Sequence, residues 1–165
     1  MKERVYQSKL SIEKSQSMKL IIDADASPVK NEVIQLAQQY NFKVVLVSSI
    51  SHYTHEIYPE FVETVYVEKG ADMADFKIVQ LAKKGDVIIT QDYGLASLLL
   101  PKGCYVFHHK GYEYTTDNID TLLQNRHFSA LQRQSGQRTK GPKPFTEGDR
   151  KRFKEFLEDF IQTKL

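Results

Sequence analysis

The chain has 165 residues, the length of one ordinary domain, of which 41% are hydrophobic and 27% are charged. This balance excludes a disordered, collagen-like or low-complexity protein, and the single cysteine, Cys104, excludes a disulfide framework within the chain and a cysteine-rich zinc site. No window reaches the ~18 apolar residues of a membrane span, and the polar N-terminus lacks the apolar core of a secretory signal. We therefore expect a cytoplasmic protein without membrane contact.

Positive charge is concentrated toward the C-terminus. The net charge is only +2, yet residues 126–154 contain nine Lys and Arg side chains and two acidic ones. The rest of the chain is therefore acidic. This asymmetry predicts an acidic body with a basic arm that contacts an anion.

Short apolar runs alternate with amphipathic stretches along most of the chain. In chain order, the predicted elements are a strand over 19–22, a helix over 28–40, strands over 43–47 and 64–67, a helix over 72–84, a strand over 86–90, a helix over 93–100, a strand over 104–107, a helix from 117 to about 133, and a last helix capped by Thr146. Asp117 and Asp120 have the spacing of a capping box. The last helix carries an apolar stripe that includes Phe153 and Leu157.

This alternation predicts an α/β fold built from βαβ units, with a mainly parallel sheet covered on both faces. Residues 1–17 are polar and are predicted to be a weakly ordered lead. Residues 18–133 are predicted to form the domain itself. Residues 134–165 are predicted to add a basic loop and a C-terminal amphipathic helix packed on the domain.

Acidic side chains follow the predicted strands at the edge where open α/β sheets place their sites. Asp23 and Asp25 come directly after the first strand, and Asp92 follows the fourth. Asp72 and Asp75 lie three residues apart at a helix start, so they share a face. Carboxylates gathered at one edge repel each other, and oxygen-ligated Mg²⁺ or Mn²⁺ is the usual remedy. The sequence therefore predicts a Mg²⁺ or Mn²⁺ site.

Several of these acids also have a structural interpretation. An Asp at a helix start often serves only as an N-cap, which applies to Asp72 and Asp92. Asp75 lies one turn into its helix, where a ligand role is favoured. Asp23 and Asp25 end an apolar strand, where two charges have no structural duty that Ser or Asn would not fill.

Four motifs resemble the bacterial YaiI/YqxD family, whose biochemistry is uncharacterised. They are Asp23-Ala-Asp25-Ala-Ser-Pro28, Gly70-Ala-Asp72-Met-Ala-Asp75, Thr90-Gln-Asp92-Tyr-Gly-Leu-Ala96 and Arg138-Thr-Lys-Gly-Pro142. The resemblance covers roughly residues 18–160. Ser27 stands where many members have Cys, so that position is not an obligatory nucleophile.

The family is similar to the PIN and NYN nuclease superfamily, and the resemblance implies a PIN-like three-layer α/β/α sandwich. In those nucleases, acids after strand one, in a middle helix and after strand four hold divalent metal for RNA cleavage. The matching positions here are Asp23, Asp75 and Asp92, with Asp25 and Asp72 adjoining. PIN enzymes often have Glu where this chain has Asp75.

The basic segment offers cations that bind phosphates without reading sequence. The residues expected to contact nucleic acid, with RNA as the expected partner, are Arg126, Arg133, Arg138, Lys140 and Lys143. The alternative is a solvated surface arm. Tyr112, Tyr114 and His127 could stack on bases or belong to the core, while His108 and His109 are expected to be surface or core residues. The chain has no Gly-x-Gly-x-x-Gly or Walker motif, so a dinucleotide cofactor has no support.

Three functions are compatible with these features. The first is a metal-dependent ribonuclease in which Asp23, Asp75, Asp92 and the adjoining Asp72 are the candidate metal ligands and Asp25 orients the attacking water. The second is a non-catalytic RNA-binding module on the same fold. The third is a phosphatase of the haloacid dehalogenase type, because Asp23-Ala-Asp25 resembles its nucleophile and acid pair. Ser27 and the lack of a late Asp-Asp pair speak against the third.

Overall fold

The structure, a computed structural model, describes residues 18–136 and 143–165, which form six strands and five helices. The strands are β1 (Lys19–Asp23), β2 (Lys43–Ser49), β3 (Val62–Val67), β4 (Val87–Ile89), β5 (Tyr105–His108) and β6 (Tyr112–Tyr114). The helices are α1 (Lys30–Tyr40), α2 (Met73–Leu81), α3 (Tyr93–Leu99), α4 (Thr116–Gln134) and α5 (Glu147–Lys164). The predicted lead over 1–17 lies outside the described residues, as do Arg138 and Lys140.

The six strands form one sheet in the order β3-β2-β1-β4-β5-β6. The first five strands are parallel, and β6 runs antiparallel to β5. The chain starts in the centre with β1, moves outward to β3, and then crosses back to place β4 on the other side of β1. The strand order thus reverses between β1 and β4, and open α/β sheets bind ligands at the carboxyl ends of such a pair.

Both faces of the sheet are buried. Along β1, Leu20 and Ile22 point to one face and Ile21 to the other, and all three are fully buried. Helices α1 and α5 cover the first face, and α2, α3 and α4 cover the second. The predicted three-layer α/β/α sandwich with a mainly parallel sheet is confirmed.

A capping box begins helix α5, and an apolar stripe packs it on the domain. Thr146 Oγ1 accepts a hydrogen bond from the Asp149 N–H at 3.1 Å, and the Asp149 carboxylate accepts one from the Thr146 N–H at 3.0 Å. The stripe buries Phe153, Leu157 and Ile161 completely in the core that also contains α1. Full burial stabilises each such side chain by roughly 1.5–3 kcal/mol. The predicted cap and stripe are both confirmed.

The hairpin of β5 and β6 was not predicted. Gly111 turns the chain with a φ of 92°, and Tyr112–Tyr114 then pairs antiparallel with Val106–His108. A strand of three residues is too short to show a periodic pattern, so only the glycine signalled it.

Helix ends also differ from the sequence prediction by up to three residues, and α1 begins at Lys30 instead of residue 28. The capping box of α4 is formed by Thr115 and Asn118, with hydrogen bonds of 2.9 and 3.2 Å, and not by Asp117 and Asp120. Helix α2 ends at Leu81 because the next residues turn toward β4. The Lys83 N–H donates to the buried Asp86 carboxylate at 2.9 Å, which holds that turn.

Across residues 18–136 and 143–165, none of the helices combines the length and apolar character needed to cross a bilayer.

Candidate functional site

Acidic side chains collect at the carboxyl ends of the two central strands. Asp23 is the last residue of β1, and Asp92 lies between β4 and α3. Because β1 and β4 are paired neighbours, these two acids lie at the same edge of the sheet. Asp75 reaches this edge from the first turn of α2. The five predicted acids, Asp23, Asp25, Asp72, Asp75 and Asp92, are called the acidic edge below.

A buried threonine hydrogen-bonds to two members of the acidic edge and positions them relative to each other. Thr90 Oγ1 donates to Asp23 Oδ2 at 3.0 Å, and the same oxygen accepts from the Asp92 backbone N–H at 3.0 Å. Thr90 is only 2% exposed, and the Tyr114 hydroxyl donates to its carbonyl at 3.2 Å. Thr90 therefore fixes the Asp23 carboxylate relative to the Asp92 backbone.

The pKa values of Asp75 and Asp23 are both raised. Burial is the largest cause that raises the pKa of Asp75 to about 6, followed by the charges of Asp92 and Asp23, a hydrogen bond to Asp92 and the charge of Asp72. Burial also raises the pKa of Asp23; the Thr90 hydrogen bond opposes this, and the charges of Asp92 and Asp25 add to it. Like charges this close disfavour joint ionisation, so a bound cation would relieve the repulsion.

Asp25 is held by the end of β2. Its Oδ1 accepts from Ser48 Oγ at 2.7 Å and from the Ser49 N–H at 3.0 Å. His52 Nδ1 lies 3.3 Å from the same oxygen. These contacts tie the 3₁₀ turn Ala24–Ala26 to the neighbouring strand, a structural duty that the sequence did not indicate.

The helix-capping roles are distributed differently from the sequence expectation. Asp92 Oδ1 accepts from the Leu95 N–H at 3.2 Å and so caps α3. Asp72 occupies the N-cap position of α2 with a φ of 66°, but its side chain makes no capping hydrogen bond. Asp72 is exposed, and it reaches the rest of the acidic edge through its charge on Asp75.

The acidic edge has suitable groups for a divalent cation, but they are not arranged around a single point. It offers carboxylate oxygens, which hard cations such as Mg²⁺ and Mn²⁺ prefer. Within the part of the chain that the structure describes, however, no three His, Cys, Asp or Glu side chains are arranged to hold a metal ion. The expectation that these acids converge around one cation is therefore not confirmed.

One predicted phosphate-binding residue lies at the acidic edge. Arg126 of α4 places Nη1 at 3.5 Å from Asp92 Oδ1 while its side chain stays 58% exposed. Gly94 leaves room for this contact, because a Cβ there would lie 3.2 Å from Asp92 Oδ1 and 3.7 Å from Arg126 Nη1. Arg133 is exposed near the end of α4.

A cavity of about 460 Å³ opens beside the acidic edge. Its wall includes Ala26 and Gln91, which are the chain neighbours of Asp25 and Asp92, and it extends to the β5–β6 hairpin. Lys143, the one member of the predicted basic loop (138, 140, 143) within the described residues, lines this cavity.

The family model described as the uncharacterised YaiI/YqxD family matches residues 21–163. The chain belongs to this family. A UPF0178 protein of Bacillus cereus strain AH187 is 58% identical over 144 residues, covering 87% of this chain and 99% of that protein. A UPF0178 protein of Enterococcus faecalis is 57% identical over 148 residues, covering 90% of this chain and 100% of that protein. The structure of a mutant of Rae1 (YacP) from Bacillus subtilis is 15% identical, with a TM-score of 0.39, over 89% of this chain and 99% of that one.

The residues matched by the YaiI/YqxD model include the whole acidic edge, the cavity and all of α5 except Lys164. The family description names no activity, so membership leaves the function to the chemistry of the site.

Sequence reasoning found the acids of this YaiI/YqxD protein but missed the groups that position them. Thr90 carried a signal, because a hydroxyl in Thr90-Gln-Asp92 lies at the strand end beside the acids. His108 and His109 carried none, because only the hairpin brings them to the cavity.

Proposed function

We propose that this YaiI/YqxD protein is a divalent-metal-dependent nuclease of the PIN-like type that hydrolyses phosphodiester bonds in RNA. The observation that carries the proposal is the meeting of Asp23, Asp75 and Asp92 at the switch point of the sheet. Thr90 links the Asp23 carboxylate to the Asp92 backbone, and the charges of Asp92 and Asp23 help to raise the pKa of Asp75. Three acids from β1, α2 and the β4–α3 connection have no shared structural purpose. Their common effect is a strongly negative, partly buried edge.

The metal would be Mg²⁺ or Mn²⁺, and Asp23, Asp75 and Asp92 would hold it. When bound, such a cation activates water and stabilises the charge that develops on a phosphate. Thr90 keeps Asp23 directed at the edge through its 3.0 Å hydrogen bond. Asp72 adds negative charge at the start of α2 and would strengthen the attraction for the cation.

Arg126 supplies the positive group next to the carboxylates. Its guanidinium is exposed and reaches Asp92 at 3.5 Å, so it could exchange this contact for a phosphate oxygen. Arg133 is exposed near the end of α4 and Lys143 lines the cavity, so both are further candidates for phosphate contact, as are Arg138 and Lys140 of the segment over 137–142. RNA follows from the resemblance of the motifs to PIN-like nucleases, whereas the basic groups alone favour any nucleic acid.

A non-catalytic RNA-binding module is the second candidate. It is favoured by the Asp92 carboxylate, whose Oδ1 caps α3 and also lies 3.5 Å from the Arg126 guanidinium. A binding module would retain RNA affinity and show no metal dependence.

The test compares the wild type with Asp23→Asn, Asp92→Asn and a matched control, Asp159→Asn, on the exposed surface of α5. We expect Mn²⁺ to stabilise the wild type and the control by ~2.7 kcal/mol at a hundredfold excess over its dissociation constant. Both edge variants should lose most of this gain and reduce cleavage of a labelled single-stranded RNA by about 100-fold or more.

Thermal unfolding with and without Mn²⁺ and a gel cleavage assay measure both effects. Cleavage at the wild-type rate by both edge variants would refute the nuclease proposal. RNA binding without cleavage or metal stabilisation in the wild type would establish the binding module instead.

A further inference from the structure

The cavity beside the acidic edge has an aromatic wall. The rings of His108 and Tyr112 stack with centroids 4.7 Å apart and planes 8° apart. His109 meets His108 at 4.3 Å and Phe145 at 5.4 Å, and all four rings line the cavity. His108 and His109 are buried, whereas Tyr112 is half-buried, so the Tyr112 ring, backed by His108, offers the surface on which another planar ring can stack.

The histidines of this wall are neutral rings at physiological pH. Burial is the main cause that lowers the pKa of His108 to about 4, with further lowering by the charges of His109 and Lys110. Burial lowers the pKa of His109 as well. The His108 Nδ1 accepts from the Lys110 N–H at 3.0 Å, so Nε2 carries the ring proton. The wall therefore offers planar surface and a neutral donor, which suits a base better than an anion.

Two lysine side chains contribute positive charge to the cavity. Lys110 and Lys143 both line it, and Lys110 Nζ donates to the Lys143 carbonyl at 3.3 Å, which ties the hairpin to the segment before α5. The Arg150 guanidinium lies 5.1 Å from the Phe145 ring centroid and donates to the Pro28 carbonyl at 2.6 Å. The wall is thus braced by α5 before any ligand arrives, which lowers the entropic cost of binding.

Residues that line the cavity are direct sequence neighbours of two acids of the acidic edge. Gln91 lines the cavity directly before Asp92, and Tyr93 lines it directly after. Ala26 lines it directly after Asp25. A nucleic-acid strand with one phosphate at the acidic edge would therefore have this cavity next to that phosphate.

We infer that this cavity is a nucleobase subsite for a single-stranded nucleic acid. It takes the base of the nucleotide next to the phosphate that binds at the acidic edge of the protein. The base stacks on Tyr112, whose ring the histidines support, and Lys110 and Lys143 contact the sugar–phosphate backbone. The position of that phosphate rests on the proposed function, whereas the stacking surface does not.

The experiment measures binding of two labelled probes of equal length, a pentanucleotide of RNA and the same backbone without bases, with Ca²⁺ in place of Mn²⁺ to neutralise the acidic edge while limiting cleavage. We expect the wild type to prefer the base-bearing probe by about tenfold or more. Tyr112→Ala should remove most of this preference, and Tyr112→Phe should keep it because the ring remains. Lys143→Ala should weaken both probes to a similar extent.

Tyr40→Ala is the matched control, because Tyr40 ends α1 at the opposite edge of the sheet and should leave the preference unchanged. Circular dichroism would show that each variant is folded. Equal affinity of the wild type for the two probes, no binding of either probe, or an unchanged preference in Tyr112→Ala would overturn the inference.

Parallel cleavage assays with Mn²⁺ separate this inference from the proposed function. A preference for bases that depends on Tyr112, together with no cleavage, would support the subsite and refute the nuclease. Cleavage without any base preference would do the reverse.

Discussion

Replacing Asp75 by Asn should stabilise the protein at neutral pH. The pKa of Asp75 is raised from 3.8 to about 6. Between these two pH values, the native state keeps a proton that the unfolded chain has released. Stability is therefore lost as the pH rises from about 4 to about 6, and the loss is complete above that window. Asn has nearly the same shape and no charge, so it removes the loss.

The size of the gain follows from the shift and from solvent screening. A shift of about two pKa units corresponds to ~3 kcal/mol for a group shielded from water. Asp75 is only half-buried, so screening reduces the figure to about 1–2 kcal/mol. In a domain of this size, this gain raises the melting temperature by about 2–8 °C.

Urea unfolding of the wild type and Asp75→Asn at about pH 7.5 and about pH 4 measures the difference. The variant should be more stable at the higher pH and nearly equal at the lower. The control Asp159→Asn removes a carboxylate from the exposed surface of α5 and should change stability by less than about 0.5 kcal/mol at both. A variant that is less stable than the wild type at both pH values would show that Asp75 is a structural group and not a member of a repelling cluster.

Three further changes test other parts of the structure. Asp86→Ala should cost about 2–4 kcal/mol in urea unfolding without affecting Mn²⁺ stabilisation, because Asp86 is 1% exposed and pairs with Lys19 Nζ at 2.7 Å, away from the acidic edge. Gly111→Ala should lower the melting temperature more than Gly85→Ala, because both have positive φ but only at Gly111 would a Cβ lie 3.2 Å from α5 backbone. The pKa of His108 is lowered from 6.5 to about 4, so between about pH 7 and about pH 4.5 only the unfolded chain gains its proton and the wild type loses stability. In His108→Gln this loss should be smaller by about 1–2 kcal/mol. An unchanged pH dependence in the variant would contradict the buried, neutral assignment of His108.

The sequence determined the elements and their chemistry. Apolar runs and helical periodicity are local signals, and they located five of the six strands and all five helices to within a few residues. The Thr146 cap and the stripe through Phe153 followed from side chains close together in sequence. Asp23 and Asp92 stood out because charge at the end of an apolar strand is visible without any tertiary contact.

Only the tertiary structure decided which of these groups meet. Strand order sets β1 beside β4, and this pairing brings Asp23 and Asp92 together and allows Thr90 to link them. The raised pKa of Asp75 depends on burial and on charges distant in sequence, which no spacing rule encodes. The aromatic cavity likewise exists because the hairpin carrying His108 folds against the segment before α5. Contacts between residues far apart along the chain depend on how the layers pack, and periodicity reports only which face of each element is buried.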